Sequence, residues 1–288
     1  MCYTVEDHVF SEGASPVEKI RRTERMSAMM KILSDSPNQI FTLSHFCELF
    51  GAAKSTMSED IDCLKKVVEL FGLGEMETVT GAAGGVRYRT TVSREAAKEY
   101  IGELCAELSG SSRVLPGSFL YSSDILSDPV KVRRMGSIIA TEYYETAPDF
   151  VLTMETKGIP VALATAEALG VPLVIARRSS KVYEGSAVNI NYVSGSNSIE
   201  TMSLSRRAVR EGQRALIVDD FLKGGGTARG MIELMHEFGV TVCGMAFVMA
   251  TATPERKRVE NFKSLMVLDV AEEHGVPTAK ITPAEWLV

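Results

Sequence analysis

Cysteine is sparse and scattered in this chain. The five, Cys2, Cys47, Cys63, Cys105 and Cys243, include no Cys-x-x-Cys pair. That excludes a zinc ribbon or a dense disulfide frame and reads as reduced thiols in a cytoplasmic protein. No apolar run is long enough to cross a bilayer, which takes about 20 residues. The first residues are acidic and lack a charged-then-apolar leader, so neither membrane insertion nor secretion is expected. There is no excess of basic charge either: 31 Lys and Arg stand against 37 Asp and Glu, a net charge of −6, which taken alone argues against a nucleic-acid partner. No internal repeat or low-complexity tract occurs. What is present, 45% hydrophobic and 24% charged residues over 288 positions, is the composition of a soluble globular protein, long for one compact domain, so two are expected.

The charge is unevenly spread. Residues 16–90 carry ten basic and ten acidic residues, a neutral segment in an acidic chain. Five of those cations, Lys19, Arg21, Arg22, Arg25 and Lys31, crowd into one stretch; on charge alone this is equally a solvated helix face. Helical spacing of Ile20, Met26, Met29, Met30 and Leu33 predicts a first helix over 16–33. A second is predicted over 42–50 with Thr42 as its cap. A third runs from a Ser55 cap to Phe71, with Met57, Ile61, Leu64, Val67, Val68 and Phe71 as its apolar stripe. Two short strands, 76–80 and 86–90, flank Gly81-Ala-Ala-Gly-Gly85 as a hairpin. Three helices followed by a hairpin is the order of a winged helix-turn-helix. In that motif the start of the third helix enters the major groove. Lys54, Ser55, Thr56 and Ser58 then suit phosphates and base edges, while Arg21, Arg22 and the wing residues Arg87 and Arg89 suit the backbone or minor groove.

A linker helix is predicted over about 93–108, within a linker at 91–112, and residues 1–15 are expected to be a disordered extension. From 113 to 288 the texture changes. Apolar, strand-like runs at 150–154, 172–176, 214–218 and 244–249 alternate with helical patterns at 129–145, 158–169, 202–211 and 226–238, which predicts an α/β domain with a doubly wound, mostly parallel sheet. Its sharpest signal is Ala215-Leu-Ile-Val-Asp-Asp-Phe-Leu-Lys-Gly-Gly-Gly-Thr227. Ligands bind such sheets at the carboxyl ends of the strands. Gly224, Gly225 and Gly226 let backbone N–H groups close on an anion, the following helix start favours a phosphate, and Thr227 adds a hydroxyl. Asp219 and Asp220 cannot hold phosphate but suit the vicinal hydroxyls of a ribose, so the pair of features implies a ribose 5-phosphate.

This run resembles the phosphoribosyl-pyrophosphate (PRPP) motif of type I phosphoribosyltransferases. Glu155-Thr-Lys-Gly158, between a strand and a helix with Pro160 in its first turn, resembles the pyrophosphate loop of those enzymes, with Thr156, Lys157 and Gly158 facing the ligand. The polar stretch 184–207 reads as a hairpin-like flexible loop or an ordinary surface hairpin. Ala53-Lys-Ser-Thr-Met-Ser-Glu-Asp60, Gly81–Tyr88, Glu155–Pro160, Asn191–Ser196, Glu200–Arg207 and Val218–Thr227 together resemble, in order, the Gram-positive-type purine operon repressors, over about 16–270. The resemblance implies a homodimeric repressor of purine-synthesis genes that binds a double-stranded operator. Its phosphoribosyltransferase-like domain would sense PRPP without catalysis, with guanosine tetraphosphate competing for the same pocket. It also places Phe119 and Tyr121 at the pocket: Phe119 stands where the family tends to have tyrosine, able to stack on a guanine-type base, or is a core aromatic. No metal and no catalytic residue is expected, and Lys223 is expected to supply a cation beside the pyrophosphate. The competing reading is an active purine or xanthine phosphoribosyltransferase with an accessory domain. The tail from Asp269 onward matches nothing in the family pattern.

Overall fold

The computed structural model describes residues 20–81, 84–109, 113–115, 119–179, 185–194, 198–273 and 276–288. The expected extension at 1–15 lies outside them, as does the centre of the expected flexible loop, 195–197. Among the described residues no helix is long and apolar enough to cross a membrane.

The N-terminal part folds as α1 (Arg22–Asp35), β1 (Ile40–Phe41), α2 (Leu43–Phe50), α3 (Lys54–Leu70), β2 (Glu75–Val79) and β3 (Gly85–Arg89). Thr42 caps α2 as expected: its hydroxyl oxygen accepts the His45 N–H at 3.1 Å, satisfying one of the helix's orphan donors. Gly51 ends α2 in the left-handed region, at φ +59°. Helix α3 departs from expectation at both ends. Ala53, in extended backbone, holds the cap position, and Ser55 falls inside the first turn. Met57, Ile61, Leu64 and Val68 form the buried stripe, but Val67 and Phe71 are exposed. Val67 lies off the line that the other four trace at 100° per residue, and Phe71 follows the last helical residue. The hairpin β2–β3 is joined by the unforeseen β1, which pairs antiparallel with β3 to give the order β1-β3-β2. Met29, Leu33, Phe46 and Val86 complete a separate small core.

Helix α4 (Arg94–Leu108), capped by Ser93, leads into the second unit. There follow β4 (Val114–Leu115), β5 (Phe119–Leu120), α5 (Ser123–Leu126), α6 (Pro129–Tyr143), β6 (Phe150–Met154), α7 (Ile159–Leu169), β7 (Leu173–Ala176), β8 (Ala187–Val193), β9 (Ile199–Ser205), β10 (Arg214–Leu222), α8 (Gly226–Glu237), β11 (Thr241–Thr251), β12 (Lys263–Glu273) and β13 (Val276–Pro283). The sheet order is β13-β12-β11-β10-β6-β7, parallel except for β13. One face is covered by α4, α6 and α7, the other by α8 and the β8–β9 hairpin. The sheet is thus doubly wound, as expected.

One expectation is corrected and one open point is filled. Residues 202–205 belong to strand β9, not to a helix: Met202 and Leu204 face Ile190 and Val188 in an antiparallel ladder, and cross-strand pairing overrides the local spacing. The C-terminal tail is the antiparallel edge strand β13, paired with β12 from Met266↔Pro283 to Glu273↔Val276.

The small core is pinned by charge. Asp60, 1% exposed on α3, accepts from Arg22 Nε at 2.9 Å and from Arg25 Nε at 2.7 Å, both on α1. Removing one partner of a buried ion pair leaves the other desolvated and unpaired, at a cost of about 3 kcal/mol. Asp60→Asn should therefore destabilise the N-terminal unit by about that amount, read as an earlier urea transition of its helical signal.

Candidate functional site

Strand β10 runs past the expected Val218 to Leu222, so Asp219 and Asp220 lie within its last turn-ward residues rather than beyond it. Asp219 is buried, at 7% exposure. Its Oδ1 accepts the N–H of Asp220 at 3.0 Å. Burial pushes the Asp219 carboxyl well above the usual range, and the neighbouring Asp220 charge adds to this. Asp220 is also raised by burial, opposed by its bond to Asp219 and by the Lys157 ammonium. Lys157 thus acts on Asp220, while the field of Arg178 acts on Asp219. Lys223 is exposed on the loop after β10, its carbonyl accepting from the Thr251 hydroxyl at 3.4 Å.

The neighbouring parallel strand β6 delivers the second element to the same edge. After it, Thr156 and Lys157 are exposed and Gly158 is buried. A Cβ on Gly158 would stand 1.9 Å from Asp219 Oδ1 and 2.6 Å from Thr153 Oγ1. Only glycine lets this loop lie on the acid. The Glu155–Thr156 peptide is cis. Glu155 Oε1 accepts the N–H of Arg178 at 2.6 Å.

The third element is the start of α8. Gly225 holds the cap position at φ +80°, with no side-chain bond to the first N–H groups. The helix's own cap therefore does not compete for those donors. Gly226 is pressed by the hairpin: a Cβ there would meet Val193 O at 2.1 Å. Gly224 O accepts the N–H of Arg258 at 3.0 Å, which ties the loop after β11 to the glycine run. The hydroxyl of Thr227, in the first turn, bonds the Tyr192 phenol, which donates to Glu200 Oε2 at 3.1 Å. Glu200 in turn pairs with the Arg178 guanidinium.

The structure therefore gathers Thr156, Lys157, Gly158, Asp219, Asp220 and 223–227 at one edge of the sheet. Phe119 lies in β5 opposite Leu115. Tyr121 is 46% exposed, and its backbone N–H donates to Arg113 O at 2.9 Å; no bond ties its side chain to either loop among the described residues. Sequence reasoning missed Arg177 and Arg178, which follow the apolar run of β7 directly. The same strand-end rule that found the acid pair points to them.

On the N-terminal unit, Lys54, Ser55 and Ser58 are exposed and Thr56 is half-buried. None of the four side chains has a partner among the described residues. The arginines divide. Arg21 is exposed at the start of α1. Arg22 is bound to Asp60. Arg87 is paired with Glu77 at 2.5 Å. Arg89 corrects the wing expectation: its guanidinium turns into the junction between the units, 3.1 Å from Glu145, stacked over the Tyr144 ring and only 12% exposed.

The profile described as bacterial purine repressor, N-terminal, matches residues 21–90, and the phosphoribosyl transferase domain profile matches residues 123–281. A purine biosynthesis transcriptional activator of Lactococcus lactis subsp. lactis is 42% identical over 251 residues, covering 87% of this chain and 93% of that protein. A purine biosynthesis transcriptional repressor of Bacillus subtilis (strain 168) is 41% identical, covering 87% and 88%. Among solved structures, an adenine phosphoribosyltransferase from Rhodothermus marinus shares the fold at a TM-score of 0.51 and 22% identity, over 58% of this chain and 97% of that one.

The raised Asp219 pKa has a definite sign. An acid whose folded pKa lies above its ordinary 3.8 contributes stability fully below that value and loses it as pH rises through the folded pKa. Asp219→Asn should accordingly be more stable than the parent at pH 8, with the gap narrowing as pH falls and the parent's carboxyl takes up its proton. Urea midpoints across pH 5–8 check this.

Proposed function

The chain belongs to the bacterial purine repressor family, and on that premise we propose that it represses purine-synthesis genes by binding operator DNA and is released when PRPP occupies its second domain. The observation that carries this is the pairing, at the end of one strand, of an uncapped α8 N-terminus with an acid pair made of buried Asp219 and half-buried Asp220. One suits a 5-phosphate, the other the hydroxyls of the attached ribose. The loop at 155–158, with the Lys157 ammonium in reach of Asp220, suits the pyrophosphate. Guanosine tetraphosphate, with phosphates of the same kind, competes for the site and favours repression. On the other unit, Lys54, Ser55 and Ser58 stand exposed at the start of α3 with no partner among the described residues, where a recognition helix meets base edges and phosphates. The protein acts in the cytoplasm as a homodimer, which matches a two-fold operator.

The domain binds its ligand and does not turn it over. The match to a phosphoribosyl transferase domain and the intact acid pair favour one rival, a purine or xanthine phosphoribosyltransferase. Release of pyrophosphate from PRPP in the presence of adenine, guanine, hypoxanthine or xanthine would establish that rival.

A mobility-shift titration on duplexes from upstream of purine genes tests the proposal. PRPP should weaken binding, and an unchanged affinity at millimolar PRPP would sink it. Lys54→Ala should weaken DNA binding and lower the slope of log affinity against log salt by about 1 per bound chain, with PRPP affinity untouched. Asp220→Ala should bind DNA as the parent does and fail to respond to PRPP.

A further inference from the structure

The end of α7 remote from the pocket is where the DNA-binding unit is fastened. Asn38 Nδ2 donates to Leu169 O at 2.8 Å. Asn38 sits in the turn after α1 at φ +62°. Its Oδ1 accepts from Arg89 Nε at 3.1 Å, and its own N–H donates to Tyr88 O at 2.6 Å. One side chain thus joins the α1–β1 turn, the wing strand and the effector domain. One carbonyl earlier on α7, the Tyr144 hydroxyl donates to Ala168 O at 3.1 Å and accepts the Thr90 N–H at 3.2 Å. Gly170, closing α7 at φ +67°, admits no side chain: a Cβ would stand 2.6 Å from Pro37 O.

The other end of this helix is the loop that lies on Asp219. The eleven residues of α7 span about 16 Å, and the helix is tightly held. Val161, Ala162, Ala164, Thr165, Ala166, Ala168 and Leu169 are buried. Gly136 of α6 approaches so closely that a Cβ would lie 2.7 Å from Ala164. Tyr143 ends α6 and Tyr144 follows it directly, so α6 and α7 both terminate on the DNA-binding unit. A close-packed helix pair moves as a body.

We infer that α7 is the strut by which pocket occupancy reaches the DNA-binding unit, with Asn38 and Tyr144 as its couplers. The inference rests on the reading that PRPP in the pocket alters DNA affinity. A pyrophosphate drawn to the Lys157 ammonium and the backbone of the 156–158 loop, which runs directly into α7, displaces the helix along its axis. The carbonyls of Ala168 and Leu169 then move by the same amount. Hydrogen bonds of 2.8–3.1 Å do not survive an ångström of stretch. The DNA-binding unit follows the helix or lets go of it.

Two full-length variants test this: Asn38→Gly, which keeps the left-handed turn and removes the amide, and Tyr144→Phe, which keeps the ring under Arg89 and removes the hydroxyl. With PRPP as probe and a purine-gene upstream duplex, the readout is the ratio of DNA Kd with and without PRPP, beside PRPP affinity by calorimetry. The expected result is PRPP affinity within about twofold of the parent and a ratio reduced by about three- to tenfold, the worth of one net hydrogen bond. A purely structural role would lower the melting temperature and leave the ratio alone; that result overturns the strut. Should Asn38→Gly fail to fold, Tyr144→Phe decides. A parent ratio of one would sink the functional reading first, and the strut with it, whereas a parent that responds and variants that respond equally sink only the strut.

Discussion

Two adjacent carboxylates at the end of β10, Asp219 buried and Asp220 half-buried, set the terms for the rest of the second domain. Taking such groups from solvent is costly unless hydrogen bonds or cations replace the water. Here the replacement is thin: Asp219 accepts from the N–H of Asp220, and the fields of Arg178 and Lys157 act from a distance. The pair is therefore raised in pKa and short of donors. A vicinal diol supplies two hydroxyl donors to two acceptors and leaves the carboxylates ionised. Under the proposed function, this unmet need would select the ligand as much as shape does. It also explains Gly158, since any side chain there would strike Asp219 and push the covering loop away.

The parallel pairing of β6 with β10 turns this local need into a three-part site. Adjacent strands lie about 4.8 Å apart, and each feeds a helix on the carboxyl side. Helix α7 starts over one strand end and α8 over the next, on opposite faces of the sheet. The uncapped start of α8, the acid pair and the second polar loop fall together because the topology reverses there. The β8–β9 hairpin closes the group from the α8 side, where Val193 O leaves no room for a Cβ at Gly226.

Much of this was legible in the sequence, and the failures have physical causes. The alternation of apolar runs with helical spacing gave the doubly wound sheet, and Asp-Asp followed by three glycines marked the end of β10 and the loop into α8, because both signals are local. Non-local pairing hid the remainder. Residues 202–205 carry apolar spacing that suits a short helix as well as a strand, and only the ladder to β8 decides. Strand β13 includes Pro277 and Pro283, poor strand residues that an antiparallel edge tolerates. Asn38 gave no signal at all: its importance lies in a carbonyl 131 residues away. Arg89 was assigned to DNA by its place on the wing, where spacing is silent about the Tyr144 ring that captures it.

The capture of Arg89 bears on how the DNA-binding unit must work. Its charge is balanced, and three of the arginines that suit phosphates are committed within the protein, Arg22 to Asp60, Arg87 to Glu77 and Arg89 to Glu145. Affinity for DNA scales with the number of phosphates neutralised, so one copy, with Lys54 and Arg21 exposed, grips weakly. Two copies on a two-fold site, the arrangement proposed above, would double the count. The same doubling applies to control. In the proposed dimer, a ligand that shifts each copy by about 1 kcal/mol would shift the assembly by about 2, roughly thirtyfold in affinity. A modest strain carried by one helix per chain is then sufficient, and a tightly binding, strongly basic domain would have been harder to release.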